Sequence, residues 1–229
     1  MKVRLLAATA ALLAFAATSA SAAVIVVKSS GPSARNYPAG KALQDSDKLS
    51  LKSNDLVVLL DSRGTRTLRG PGSFPAASTG PARSTSSLAA LTGQGRARGR
   101  VGAVRGPVSR SIWQANAEAS ETMCFANPGD ISIYRGSIAN PETVTIKNLA
   151  SGKSAKANFA ASMQTAPWPT DLPIVANNNY QIGNSTVIAM KSIAPLPSGL
   201  EGIAQSLIRN QCEGQLDILI NTFTIASSE

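Results

Sequence analysis

Residues 75–110 set the first limit on the fold. The stretch is built mainly from Gly, Ser, Pro, Ala, Thr and Arg, and only Leu88, Leu91, Val101, Val104 and Val108 interrupt it with a larger aliphatic side chain. Fixing one residue's backbone costs roughly 1–2 kcal/mol, and so few apolar groups do not offset that cost over such a length. The stretch therefore reads as a flexible linker, with a short helix around 87–91 as its one candidate element. It divides the chain into two regions with apolar periodicity, 23–74 and 111–229. A chain of 229 residues is long enough for two small domains.

The same stretch carries the charge. The full chain has a formal charge of +9. Between residues 62 and 117 stand Arg63, Arg66, Arg69, Arg83, Arg96, Arg98, Arg100, Arg105 and Arg110, with no lysine and no acid. Such a run attracts polyanions through salt-sensitive electrostatics. A solvated linker kept extended by its own charge has the same composition. Arg96, Arg98, Arg100 and Arg105 are the candidate anion-binding residues, and an anionic lipid or glycan is the partner they would suit. The motif Arg96-Ala97-Arg98-Gly99-Arg100 is similar to segments that bind single-stranded nucleic acid, but no aromatic residues interleave the arginines. Nucleic acid is disfavoured on that ground and because the chain reads as exported.

Export is read from residues 1–22. Lys2 and Arg4 precede an uncharged apolar run over 5–17, and Ala20-Ser21-Ala22 is a small-x-small cleavage site, so a secretory signal peptide ending before Ala23 is expected. The run is rich in Ala, Ser and Thr and barely reaches the roughly 20 apolar residues that a membrane span needs. No transmembrane anchor is expected after cleavage, and the expected location is periplasmic or secreted.

Region 23–74 reads as a chain of short strands. Residues 24–27 are an apolar β-branched run, 48–52 alternate strictly, 56–60 form a continuous apolar run, and 65–68 follow. Ser30-Gly31-Pro32, Pro38-Ala39-Gly40, Ser53-Asn54-Asp55, Ser62-Arg63-Gly64 and Gly70-Pro71-Gly72 supply turns between them. A small β-roll or sandwich is expected. Gly40-Lys41-Ala42-Leu43, residues 49–55, Asp61-Ser62-Arg63-Gly64-Thr65 and Leu68-Arg69-Gly70-Pro71-Gly72-Ser73 stand in an order that resembles the periplasmic domain of FecR-type regulators. Gly64 follows Arg63 where that family often places Gly directly after Asp. The resemblance implies a sensing or docking module. Members of the family also carry a cytoplasmic anti-sigma segment and a transmembrane helix, which are not read here, so transcriptional signalling is not expected.

Region 111–229 opens with strand signals at 112–116, 122–126, 131–135, 143–149, 155–160, 180–183 and 187–193. Their spacing predicts an antiparallel sandwich resembling an immunoglobulin-like domain. Ser198-Gly199-Leu200-Glu201 has the pattern of a capping box. Leu200, Ile203, Ala204, Leu207 and Ile208 fall at helical spacing, as do Leu216, Leu219, Ile220 and Phe223, which predicts a short C-terminal helical pair. The second of these segments also alternates through Ile218, Ile220, Thr222 and Thr224, so a strand stays open as the alternative. A W-P-x-x-L-P-I loop at 168–174 and a late helix carrying a cysteine resemble a loosely defined set of uncharacterised exported bacterial proteins, and that likeness implies no activity.

Cys124 and Cys212 are the only cysteines, and in an exported chain they are expected to form one disulfide that fastens the helical tail to the sheet. Pro167-Trp168-Pro169-Thr170-Asp171-Leu172-Pro173 presents three prolines around an indole. Trp168, Pro169 and Asp171 form either a recognition loop with little entropy to lose or a crossover whose indole caps the core. The second reading is the simpler, and Trp113 is read as core.

Catalysis is weighed by subtraction. The chain has no histidine, which excludes Ser-His and Cys-His nucleophile pairs and histidine metal sites. A Ser-Lys arrangement or a carboxylate pair remains formally open, but the acids are scattered and no serine sits in a recognisable nucleophile turn. No catalytic residue, metal site or cofactor is assigned. The chain is thus expected to be mainly β: a small N-terminal β-module, a linker, and a β-sandwich closed by helices. It is expected to act as a non-enzymatic envelope protein with an interaction, sensing or structural role. A polyanion binder is the first alternative and a hydrolase the second.

Overall fold

In the computed structural model, residues 24–78, 110–137 and 140–224 are described. The expected leader and residues 79–109 of the linker, with Arg96, Arg98, Arg100 and Arg105, lie outside them. The protein is mainly β, as its sequence predicts.

The first region runs β1 (Val24–Ser30), β2 (Ala42–Leu43), β3 (Lys48–Leu51), β4 (Leu56–Asp61), β5 (Gly64–Arg69) and β6 (Gly72–Pro75). One sheet has the order β2-β1-β4-β5, and β3 pairs with β6 as a separate ribbon. The unbroken apolar run of β4 follows from its position, because both of its faces are covered. Val57 and Leu59 pack with Val24, Val26, Leu49 and Leu51 against the ribbon. Val58 and Leu60 face the opposite way, with Ile25 and Val27. The register of β1 on β4 shifts between Val26 and Lys28. Such a bulge places one more residue on a strand than on its partner.

Two carboxylates organise the turns of this sheet. Asp55, almost wholly buried, accepts from the backbone N–H groups of Ser33 (2.8 Å) and Lys52 (2.5 Å). Burial pushes its carboxyl up, but these bonds together hold it below its ordinary value. Gly31 is required beside it: its φ is +100°, and a Cβ there would lie 2.5 Å from the Asn54 carbonyl oxygen. Asp61 accepts from the N–H groups of Arg63 and Gly64 and closes the β4–β5 turn.

The first region does not stop at residue 74. Pro75 completes β6, and Ala76 is fully buried with its N–H on the Asp47 carbonyl at 2.7 Å. Arg66 donates to the carbonyls of Pro75 and Ala76, and Arg63 to that of Ser78. At the other border, Arg110 makes a two-bond ion pair with Glu121, at 2.8 and 2.9 Å. Three of the nine arginines thus hold structure instead of facing a partner.

The second region runs β7 (Gln114–Asn116), β8 (Glu121–Phe125), β9 (Ser132–Tyr134), β10 (Glu142–Asn148), β11 (Ser154–Phe159), β12 (Thr165–Pro167), β13 (Asn179–Ile182) and β14 (Thr186–Ser192), then α1 (Gly199–Arg209) and α2 (Glu213–Thr222). A five-stranded sheet, β11-β10-β13-β14-β8, faces a three-stranded one, β12-β9-β7. Met123, Ile133, Ile146, Phe159, Tyr180 and Met190 fill the space between them. The strands are not all antiparallel: β14 pairs with β8, and β7 with β9, in parallel.

The helical pair occupies the junction of the two regions. Leu200, Ile203, Leu207, Leu216, Leu219 and Phe223 share one core with Ile25, Val27, Val58 and Leu60 of the first sheet. The segment 213–222 is a helix, not a strand, because burial follows Leu216, Leu219 and Phe223 while Ile218 and Ile220 are only half-buried. Ser198 caps α1 in an extended backbone, but its side chain makes no capping bond. The capping box is absent, and Gly199, at φ +74°, turns the chain into the helix.

Cys124 on β8 and Cys212 before α2 are joined in the expected disulfide, with Cα atoms 5.9 Å apart and both residues fully buried. Closing a loop over a separation of 88 residues contributes on the order of 4 kcal/mol in the chain-entropy model. Beside it, Gln215 mimics a strand. Its side chain accepts from Cys124 N–H at 2.6 Å and donates to the carbonyls of Ile112 (2.6 Å) and Cys124 (2.9 Å). The two bonds to Cys124 satisfy the outer edge of β8 inside the core. Leaving a buried polar group without its partner costs about 1–3 kcal/mol. Gln215→Leu is therefore expected to lower unfolding stability by about 3 kcal/mol in urea titrations, with the disulfide still formed in non-reducing mass spectra.

Candidate functional site

The proline-rich loop after β12 is fixed from within. The indole N–H of Trp168 donates to the Leu172 carbonyl at 2.7 Å, and its ring meets Tyr180 edge-on at 5.2 Å between centroids. The Tyr180 hydroxyl donates to the Pro173 carbonyl and accepts from Val175 N–H, both at 2.8 Å. With Trp168 only 9% exposed, the indole is a core cap whose N–H is satisfied, as a buried tryptophan requires. The loop still presents a surface. Trp168, Pro169 and Asp171 line one side of a cleft of about 320 Å³, and Lys156 and Asn158 of β11 line the other. Those two residues were open to sequence reasoning through the strict alternation of β11, in which Ala155, Ala157 and Phe159 point inward.

A second cleft, of about 520 Å³, lies where β10 passes the β13–β14 turn, and Glu118, Arg135, Glu142, Thr143 and Thr145 contribute to it. Arg135 is buried, and no sequence pattern marks it. Its guanidinium donates to Glu142 (2.9 Å) and to the carbonyls of Asn140 (2.7 Å) and Met163 (3.1 Å), and it lies over the Phe159 ring at 4.7 Å. A buried charge needs such pairing. With its donors so engaged, this arginine is a bracket between β9 and the loops around it and is not free to take an anion. Glu118 is fixed as well, accepting from Gly136 N–H at 2.8 Å.

A third cleft, of about 330 Å³, follows the seam between the first sheet and the helices, with Val27, Pro38, Ile208 and Leu216 in its walls. Lys28 and Asp217 pair at 3.2 Å while 61% and 55% exposed. A pair so exposed contributes about 0–1 kcal/mol. Among the described residues there is no group of three or more His, Cys, Asp or Glu able to hold a metal ion, and no helix is long and apolar enough to cross a membrane.

Along the same seam, Glu201 in α1 is half-buried, and burial above all, aided by the charge of Asp61 and opposed by a backbone hydrogen bond, pushes its carboxyl above the ordinary 4.5. A raised acid pKa means that the folded state binds the proton more tightly than the unfolded state. Stability is therefore lost as pH rises from 4.5 through the folded value, and the deficit is complete above it. Glu201→Gln is expected to raise the melting temperature above the range in which the carboxyl titrates and to flatten its fall as pH rises from 4.5. Calorimetric scans across that range check it, and a variant with the wild-type slope would show that Glu201 does not titrate there.

The chain matches no family model, no curated protein and no solved structure.

Proposed function

We propose that this chain is a non-enzymatic, exported interaction module of a bacterial envelope, built to hold its surfaces rigid. The observation that carries this reading is the shared core at the helix junction, locked by the buried Cys124–Cys212 disulfide and by Gln215. Disulfides of this kind persist in oxidising compartments, which agrees with the leader pattern at 1–22. The most conspicuous buried polar groups are engaged in structure: Arg135 braces loops, Asp55 and Asp61 close turns, and Gln215 covers a strand edge. What is left for a partner is surface chemistry. The FecR-type resemblance of residues 40–73 points the same way, towards docking or sensing. Export places Ala23 at the mature N-terminus, and intact-mass analysis of the secreted or periplasmic protein is the direct test. Retention of Met1 in a membrane fraction would overturn the reading, as would turnover of an envelope substrate by the purified chain.

A second reading is favoured by the run of arginines without an intervening acid between residues 62 and 117. Here Arg96, Arg98, Arg100 and Arg105 bind an anionic lipid or glycan surface. Each basic residue near an anionic membrane contributes about 1 kcal/mol, so replacing all four by Gln should weaken vesicle binding by orders of magnitude while leaving the melting temperature unchanged. The binding should also fall steeply with salt. Equal binding by the wild type and the variant at low salt would mean that the arginines only solvate a linker.

A further inference from the structure

The outer face of the five-stranded sheet has a composition set by its register. On β10, Thr143, Thr145 and Lys147 stand opposite Asn158, Lys156 and Ser154 of β11, and Lys147 also stands opposite Gln181 of β13. Directly opposed residues share a face. Glu142 is the one carboxylate in β10, β11, β13 and β14, and it pairs with Phe159 on the other face. The outer face of these strands therefore holds lysines, hydroxyls and amides, with the smaller apolar Val187 and Ala189 of β14 and no acid among them. Lys147 and Lys156 are diagonal neighbours, a relation that sets side chains about 7–8 Å apart, and both are exposed. Neither enters an ion pair among the described residues. Thr143 donates to the Asn158 side-chain oxygen at 2.8 Å, which orients that amide. Beyond the free edge of β11 lies the cleft closed by Pro167, Pro169 and Asp171.

We infer that this face and its cleft dock an acidic polysaccharide, an inference that names the partner class of the interaction module proposed above and rests on that reading. The chemistry selects among anions. Carboxylates of the glycan meet Lys147 and Lys156, neither of which enters an ion pair among the described residues. Its hydroxyls meet Thr145, Asn158 and the Asp171 carboxylate, and the proline rings offer apolar contact to the C–H faces of a sugar. A bilayer would require a row of apolar side chains to insert, whereas Leu149 at the β10–β11 hairpin tip is the one large exposed apolar residue there. Single-stranded nucleic acid would require aromatic platforms, and the aromatics of these strands, Phe159 and Tyr180, are buried.

The test uses the mature, disulfide-intact chain with a galacturonate decamer as probe, followed by calorimetry and by amide shifts at residues 143–147 and 154–158. Saturable, salt-sensitive binding is expected. Lys147→Gln with Lys156→Gln should weaken it on the order of tenfold or more with the melting temperature unchanged, while arginine at both positions should preserve it. Equal binding by the glutamine variant would overturn the inference, as would no binding by the wild type, or a preference for phosphatidylglycerol vesicles over the decamer. If the decamer fails but the mature chain is still found exported with Ala23 first, only the docking surface falls. If the decamer is cut into shorter products, the non-enzymatic reading falls instead.

Discussion

Everything else in the fold depends on how the β1–β4 pair is covered. Its ribbon-facing side is closed by β3 and β6, within the first region, but among the described residues the other side shares a core with α1 and α2, which arrive from the far end of the chain, and with Ile112, Cys124 and Ile193. Fully burying a Val, Leu or Ile side chain is worth about 1.5–3 kcal/mol. Ile25, Val27, Val58 and Leu60 together therefore represent on the order of 6–12 kcal/mol, comparable to the whole stability of a typical domain. Without the helices the first sheet would expose an apolar face, so its burial draws on residues that a long polar stretch separates from it in sequence. Trp113, half-buried, packs against both the sandwich core and the helical core and makes the continuity physical.

That dependence explains where the strongest local constraints fall. The disulfide, the Gln215 amide and the Arg110–Glu121 pair all lie within a few residues of the start of α2 or of β8. Gly214 sits among them, and a Cβ there would come within 2.6 Å of Glu121 and 3.2 Å of Arg110. The second helix is short, and helices of its length are marginal alone in water. It is held because β8 presents it with a covalent bond, two hydrogen bonds and an apolar wall, and the Ile112 carbonyl adds a third hydrogen bond. Thr65 adds the far end, donating its N–H to the Phe223 carbonyl and its hydroxyl to that of Ile220. The second helix is thereby tied to the second sheet at its start and to the first sheet at its end.

Much of this was legible in the sequence, and what was not has identifiable causes. Strands with a clear period, such as β11 with its alternating Ala155, Ala157 and Phe159, or with a continuous apolar run, such as β4, fall where the pattern places them. The short strands β2, β6 and β12 were not legible, because two to four residues do not establish a period and tertiary pairing alone defines them. The choice of helix for 213–222 was undecidable from alternation, since it turns on the anchoring of Cys212 and Gln215 by a strand more than eighty residues away. The capping box failed for a local reason, as the glycine inside the motif adopts a backbone that the motif does not use. At the proline-rich loop, Trp168, Pro169 and Asp171 do converge, but with the indole turned into the core and the prolines and carboxylate turned out.

The contrast between Arg135 and Lys147 carries the functional argument furthest. Both are basic and both stand on or beside the same sheet, yet Arg135 lies on the core side, with its guanidinium enclosed by carbonyls, Glu142 and the Phe159 ring, whereas Lys147 projects from a face that has no acid. Removing the partners of a buried guanidinium would leave an uncompensated charge in low dielectric, so Arg135 is determined by folding. No such requirement acts on Lys147 and Lys156, because an exposed sheet face tolerates threonine or glutamine equally well. A pair of lysines without an ion-pair partner among the described residues, set among hydroxyls and amides, is a feature that stability does not demand, and its physical complement is an anion that carries hydroxyls of its own.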